Sequence, residues 1–147
     1  MATEEATLNG HKLLAVWACE CAERVLAVFE QVRPDDDRPR RAIEAGRAWV
    51  RGDLPMVEAR MAAFAAHAAA REAGSATGTA AARAAGHAAA TAHVASHARH
   101  AANYAAGAAG DVAEREWQLE RLPASLRAVV VRGVSAGVKT RRTTRGT

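Results

Sequence analysis

Thr79-Ala-Ala-Ala-Arg-Ala-Ala-Gly-His-Ala-Ala-Ala-Thr-Ala-His-Val-Ala-Ser-His-Ala-Arg-His-Ala-Ala-Asn-Tyr-Ala-Ala106 is the stretch that decides the fold. Alanine is the strongest helix former, and no proline interrupts the run. The segment predicts one long helix from about Thr79 to Ala106, with Gly107 and Gly110 as stop signals. Arg83, Arg99 and its histidines rule it out as a membrane span, so no membrane partner is expected. Its surroundings have the same character: 27 of the 53 residues from Val57 to Ala109 are alanine. Alanine buries little area per residue, so a stable core here needs closely approaching helices and not a sheet sandwich.

Working outward, Asp53 and Pro55 open a helix that runs to about Ala73, and Gly74-Ser75-Ala76-Thr77-Gly78 reads as a loop. Pro34 and the run Asp35-Asp36-Asp37 stop a first helix, about Leu8 to Val32, and offer capping oxygens to a second, about Arg38 to Arg51. On the first helix Leu14, Trp17, Ala18, Cys21, Val25, Val28 and Val32 fall within about 60° of one line. Cys21 is therefore a core residue, and Cys19 is expected to face away. The second helix turns Ala42, Ile43, Gly46, Trp49 and Val50 inward and a stripe of Arg40, Glu44, Arg47 and Arg51 outward. Downstream, Asp111 with Glu114 matches a capping box for a helix containing Trp117, and Pro123 starts a short last helix ending near Gly133. The expected architecture is all-α: a compact alanine-rich bundle of five to six helices in one domain, residues 1–132, with a basic flexible tail, 133–147.

The formal charge of +4 suggests a nucleic-acid partner until it is located. No acid follows Glu120, and the last fifteen residues hold Lys139, Arg141, Arg142 and Arg145, which leaves residues 1–132 formally neutral. A short basic end with Gly, Ser and Thr is a solvated tail, not the charged stripe of a nucleic-acid binder. Cys19 and Cys21 are too few for a structural zinc site, do not form CxxC, and point about 200° apart on a helix. The start, Met-Ala-Thr-Glu-Glu, is acidic where a signal peptide needs positive charge. A reduced, cytoplasmic setting is expected, with no cofactor.

Unusual chemistry gathers in two places. On the third helix Phe64, His67 and Arg71 lie at about +40°, −20° and +20° from Arg60. If Phe64 marks the buried side, two arginines and a histidine enter the core with it, and they need anionic partners, with Glu20, Glu23 and Glu44 as internal candidates. On the long helix His93, His97, His100 and Tyr104 share one face, and His87 stands about 110° from its centre. His93 and His97 have the spacing of a two-histidine metal pair, but no HExxH base or acidic third ligand accompanies them, so no metal is expected. The two anomalous faces predict a polar seam in which His67 and Arg71 meet His93 and His97. The ligand-binding candidates are Arg60, His67, Arg71, His93, His97, His100 and Tyr104, facing an anionic small molecule. Acid–base chemistry, if present, would fall to His67, His87, His93, His97 or Tyr104. There is no Gly-rich phosphate loop, GxSxG elbow or cysteine beside an obvious base.

Trp17-Ala-Cys-Glu-Cys-Ala-Glu-Arg-Val25, Asp37-Arg-Pro-Arg-Arg-Ala-Ile-Glu-Ala45 with Arg47-Ala-Trp49, Ala66-His-Ala-Ala-Ala-Arg71, the run Ala85 to His97 and Trp117-Gln118 together resemble the Imm-5-like family of bacterial immunity proteins. The resemblance covers roughly residues 12–128. It implies a small intracellular protein that binds and neutralises a cognate toxin without catalysis, and it transfers no catalytic residue. The alternative from the residues themselves is a small-molecule-binding protein, or a small enzyme of lyase or isomerase type, using an Arg/His-lined pocket between helices.

Overall fold

The computed structural model describes residues 2–127 and residue 130, with side chains from residue 7 onward. Among the described residues six helices follow one another: α1 (Ala2–Val32), α2 (Arg38–Val50), α3 (Met56–Glu72), α4 (Ala76–Ala90), α5 (His97–Ala109) and α6 (Val112–Arg121). A helical turn at residues 124–127 comes after Pro123. The architecture is all-α, as expected. The tail at 133–147 and a helix end near Gly133 lie outside the described residues. Among the described residues no helix is long and apolar enough to cross a membrane.

α4 is the axis of the bundle and packs against α1, α2, α3 and α5. Its buried residues, Gly78, Ala81, Ala82, Ala84, Ala85, Gly86, Ala88, Ala89 and Ala90, surround most of the helix and leave the side of Ala80, Arg83 and His87 partly exposed. Only small side chains let four neighbours close around one backbone at native packing density, which is the physical use of the alanine excess. The large core side chains come from α1, where Leu14, Trp17, Val25, Leu26 and Phe29 are buried against those alanine surfaces.

The expected single helix over 79–106 is corrected to two helices. The chain reverses between Thr91 and Ser96, and α5 folds back onto α4. No residue there forbids helix, so the break is a packing outcome: a straight rod would leave much of its apolar surface in water. The turn is closed by the N–H groups of Thr91, Ala92, His93 and Val94, which donate to the last carbonyls of α4. The Thr91 hydroxyl donates to His87 O (2.9 Å), and the His11 ring of α1 donates to Thr91 O.

Other boundaries move for local reasons. α1 starts six residues early. The supposed loop 74–78 shortens because the Ser75 hydroxyl accepts from Gly78 N (3.0 Å) and starts α4 at Ala76. Gly110, at φ 67°, ends α5, whereas Gly107 lies inside it. Asp111 caps α6 by accepting from Ala113 N (2.9 Å). Glu114 does not complete the capping box. It is buried and takes a bidentate pair from Arg24 of α1 (2.7 and 3.0 Å).

Cys19 is buried, against expectation, because α2 covers the flank of α1 that periodicity assigned to solvent. Its thiol donates weakly to Ile43 O (3.7 Å), and burial pushes its pKa up to about 12. Burial likewise raises Cys21, so neither thiol is primed for chemistry. A Cβ on Gly46 of α2 would stand 2.8 Å from Cys19 Sγ and 3.5 Å from Ala88 O. Gly46→Ala is therefore expected to destabilise by about 1–2 kcal/mol, the overlap outweighing alanine's helix preference. Cys19→Ala in the same chain should recover much of that loss. A single mutant with an unchanged urea midpoint would contradict the close approach.

Candidate functional site

The reversal at 91–96 assembles a cluster that a continuous helix could not. His87 in the last turn of α4 and His97, the first residue of α5, meet Nδ1 to Nδ1 at 3.0 Å. His100 lies with its ring centre 5.3 Å from that of His87, and Tyr104 stacks on His87 at 5.3 Å and 9°. From α3, His67 approaches His87 edge-on at 4.9 Å. Arg83, one turn before His87, donates from Nη1 to His67 Nδ1 (3.0 Å). The ring of His67 rests over Gly86, where a Cβ would fall 2.7 Å from its Cε1. A glycine in an otherwise alanine helix is the space this imidazole needs.

These contacts constrain the protons. His67 Nδ1 accepts from a guanidinium, so its own proton is on Nε2. Between His87 and His97 one Nδ1 donates and the other accepts, and a proton on both would break the bond. Burial, followed by Arg83 and His97, brings His67 down to about 4. Burial and then the neighbouring His67, His97 and His100 bring His87 down to about 3. His97 and His100 are also lowered, first by burial. All four rings are neutral near pH 7, and no carboxylate is among the groups acting on them.

That electrostatic setting is local. On the α1 and α2 side, Arg24 pairs with Glu114, Arg40 with Glu30, Arg41 with Asp37, Arg47 with Glu23, Arg51 with Asp53, and Arg38 with both Asp36 and Glu72. Arg60, Arg71, Arg83 and Arg99 have no ion pair of this kind among the described residues. No Asp or Glu occurs between Glu72 and Asp111, and Glu72 is engaged by Arg38.

Beside the cluster a cavity of about 180 Å³ is lined by Arg60, Ala63, Phe64, His67, Ala90, His93 and His97. The predicted site residues thus divide. His67 and His97 are half-buried in its wall, and Arg60 and His93 stand exposed at its rim. His100 and Tyr104 contact His87 behind it, and Arg71 is exposed outside the lining. His93 belongs to the turn and His97 to α5, so the i, i+4 helical pair does not form. Among the described residues no group of three His, Cys, Asp or Glu is arranged to hold a metal ion.

Phe64 does not mark the buried side of α3. Alanines 59, 63, 66, 69 and 70 face the core, while Phe64 is exposed beside Arg60, whose guanidinium lies 5.4 Å from its ring centre. Close approach to α4 excludes a large ring, so the usual hydrophobicity ranking inverts here. Glu20, Glu23 and Glu44 do not serve this face: Glu23 pairs with Arg47 of α2, Glu20 lies in the groove with Arg24 and Trp117, and Glu44 lies near Arg40. Sequence reasoning also passed over Arg83, Gly86 and His11. Only Gly86, an interruption in an alanine helix, left a signal.

The fold and its histidine cluster define an all-α, alanine-packed protein with a polar pocket in its α3–α4–α5 layer. The chain belongs to the family described as Imm-5 like putative immunity protein, whose model matches residues 4–125. No match was found among curated proteins or among solved structures.

Proposed function

We propose that this protein confers immunity in the cytoplasm by binding a cognate protein toxin and blocking it, without chemistry on that toxin. Family membership supports the class of function, and the outward face of α3 supports the mode. Val57, Met61 and Phe64 repeat at i, i+4 and i+7 and are 61, 65 and 57% exposed. Arg60 stands among them. A Met/Phe/Arg patch on a packed helix has the composition of an interface centre and is already ordered before binding.

The test is co-purification with the toxin encoded beside its gene, together with survival of cells expressing both. Met61→Glu is expected to leave the melting temperature unchanged, because the side chain is exposed, while weakening binding by roughly 30-fold or more. Unimpaired protection by that variant would remove α3 as the docking face. Failure of the parent to bind or protect would overturn the function itself.

A further inference from the structure

The α3–α4–α5 pocket collects donors and supplies them no anion. The Arg60 guanidinium stands at its mouth, and the rings of His67 and His97 form its wall. Arg83 backs His67 from α4. His97 opens α5, and Ser96 at the N-cap makes no side-chain capping bond, although the His97 and Ala98 N–H groups are already taken by Val94 O and Ala95 O. The opposing carbonyls at the end of α4 are taken up by the turn. The rest of the lining is His93 at the rim and the apolar Ala63, Ala90 and ring of Phe64. No carboxylate lines the cavity, which holds only a small molecule; of the two carboxylates on α3, Glu72 is engaged by Arg38 and Glu58 is exposed outside the lining.

We propose that this pocket binds a small carboxylate, with the carboxyl group held by Arg60 and the His67 and His97 imidazoles and a short apolar body against Phe64 and Ala90. The pocket shares Arg60 and Phe64 with the proposed docking face, but the inference does not depend on toxin binding, because ligand titration of the free chain reads it and Val57 and Met61 lie outside the lining. It also makes binding pH-dependent. His67 faces Arg71 along its own helix, Arg83 and His87 from α4, and His97 from α5. His97 in turn faces His93 in the turn and His100 on α5. Every such neighbour is cationic or a neutral imidazole, so a bound anion is the partner that lets a ring accept a proton. Affinity should rise as pH falls, by up to about tenfold per pH unit for each proton taken up.

The experiment is a titration of the full chain with propionate, and separately with inorganic phosphate, at pH 7.5, 6.5 and 5.5, following histidine ring resonances by NMR. Saturable shifts at His67 and His97 are expected with propionate at roughly millimolar concentrations. The shifts should tighten at lower pH and leave the Trp17 and Trp117 indoles unmoved. Arg60→Met, at an exposed position, should abolish saturation without unfolding the chain. Non-saturating drift, or saturation that survives Arg60→Met, would overturn the proposal. Tighter binding of phosphate than of propionate would overturn its carboxylate class.

Discussion

Replacing Trp17 with alanine is expected to remove about 3–5 kcal/mol of stability. Trp17 is buried where α1 meets α6, and its indole N–H donates to Gln118 O at 2.7 Å. Gln118 is itself fully buried, donating to Ala102 O of α5 (2.8 Å) and accepting from Arg115 (3.0 Å). The indole therefore closes a three-helix junction, and the alanine walls around it have no long side chains with which to refill the space. Gln118 O keeps the Leu122 N–H (3.1 Å), so most of the loss is cavity and not an orphaned carbonyl. Trp49 provides the contrast. Periodicity places it on the buried face of α2 with equal importance, but it is half-exposed and leans on the His11 ring at 4.8 Å. Trp49→Ala should cost about 1 kcal/mol. Urea midpoints of the two variants test this, and equal midpoints would deny Trp17 its role at the junction.

Acidification from about pH 7.5 to pH 5 is expected to cost about 1–3 kcal/mol, after allowance for solvent screening of the partly exposed rings. His67 and His87 titrate near 4 and 3 in the folded protein, against an ordinary 6.5. Folded values below the unfolded one mean that unfolding takes up protons. The stabilisation from keeping these rings neutral is complete above 6.5 and is lost as pH falls toward the folded values. The two rings touch, so their contributions are not independent. Asp36, held below the usual carboxylate range by its hydrogen bond from Arg38, loses its contribution only at lower pH. The histidine effect is therefore isolated in the upper window. Urea unfolding at half-unit pH intervals should show decreasing stability there, and His67→Gln with His87→Gln should flatten the profile. A parent whose stability holds level from pH 7.5 to 5 would contradict neutral, buried imidazoles.

The charge pattern also bears on where recognition occurs. Ion pairs tie α1 to α2 and α6, and α2 to α3, whereas the α3–α5 layer has exposed arginines and neutral histidines. Both the proposed docking face and the proposed anion pocket belong to that layer and share Arg60 and Phe64. Met61 is exposed and outside the pocket lining, so Met61→Glu tests docking while leaving the pocket intact.

Composition and punctuation determined much of this protein. Alanine content made it helical, Pro34, Pro39 and Asp111 placed helix ends near the residues where they occur, and the Leu14–Val25 line marked the buried face of α1. Those are local effects, in which each residue acts on its own turn or its own face. The tertiary structure decided what local rules leave open. In a segment where every turn favours helix, no residue says where the chain must reverse, and the gain from packing α5 on α4 is a property of the whole bundle. That reversal brings His87 to His97, a pairing that a straight helix places on different faces. The same packing reversed the side of α3 that Phe64 was expected to occupy. When helices must approach within reach of alanine side chains, methyl groups enter the core, and the larger aromatic ring is left outside it.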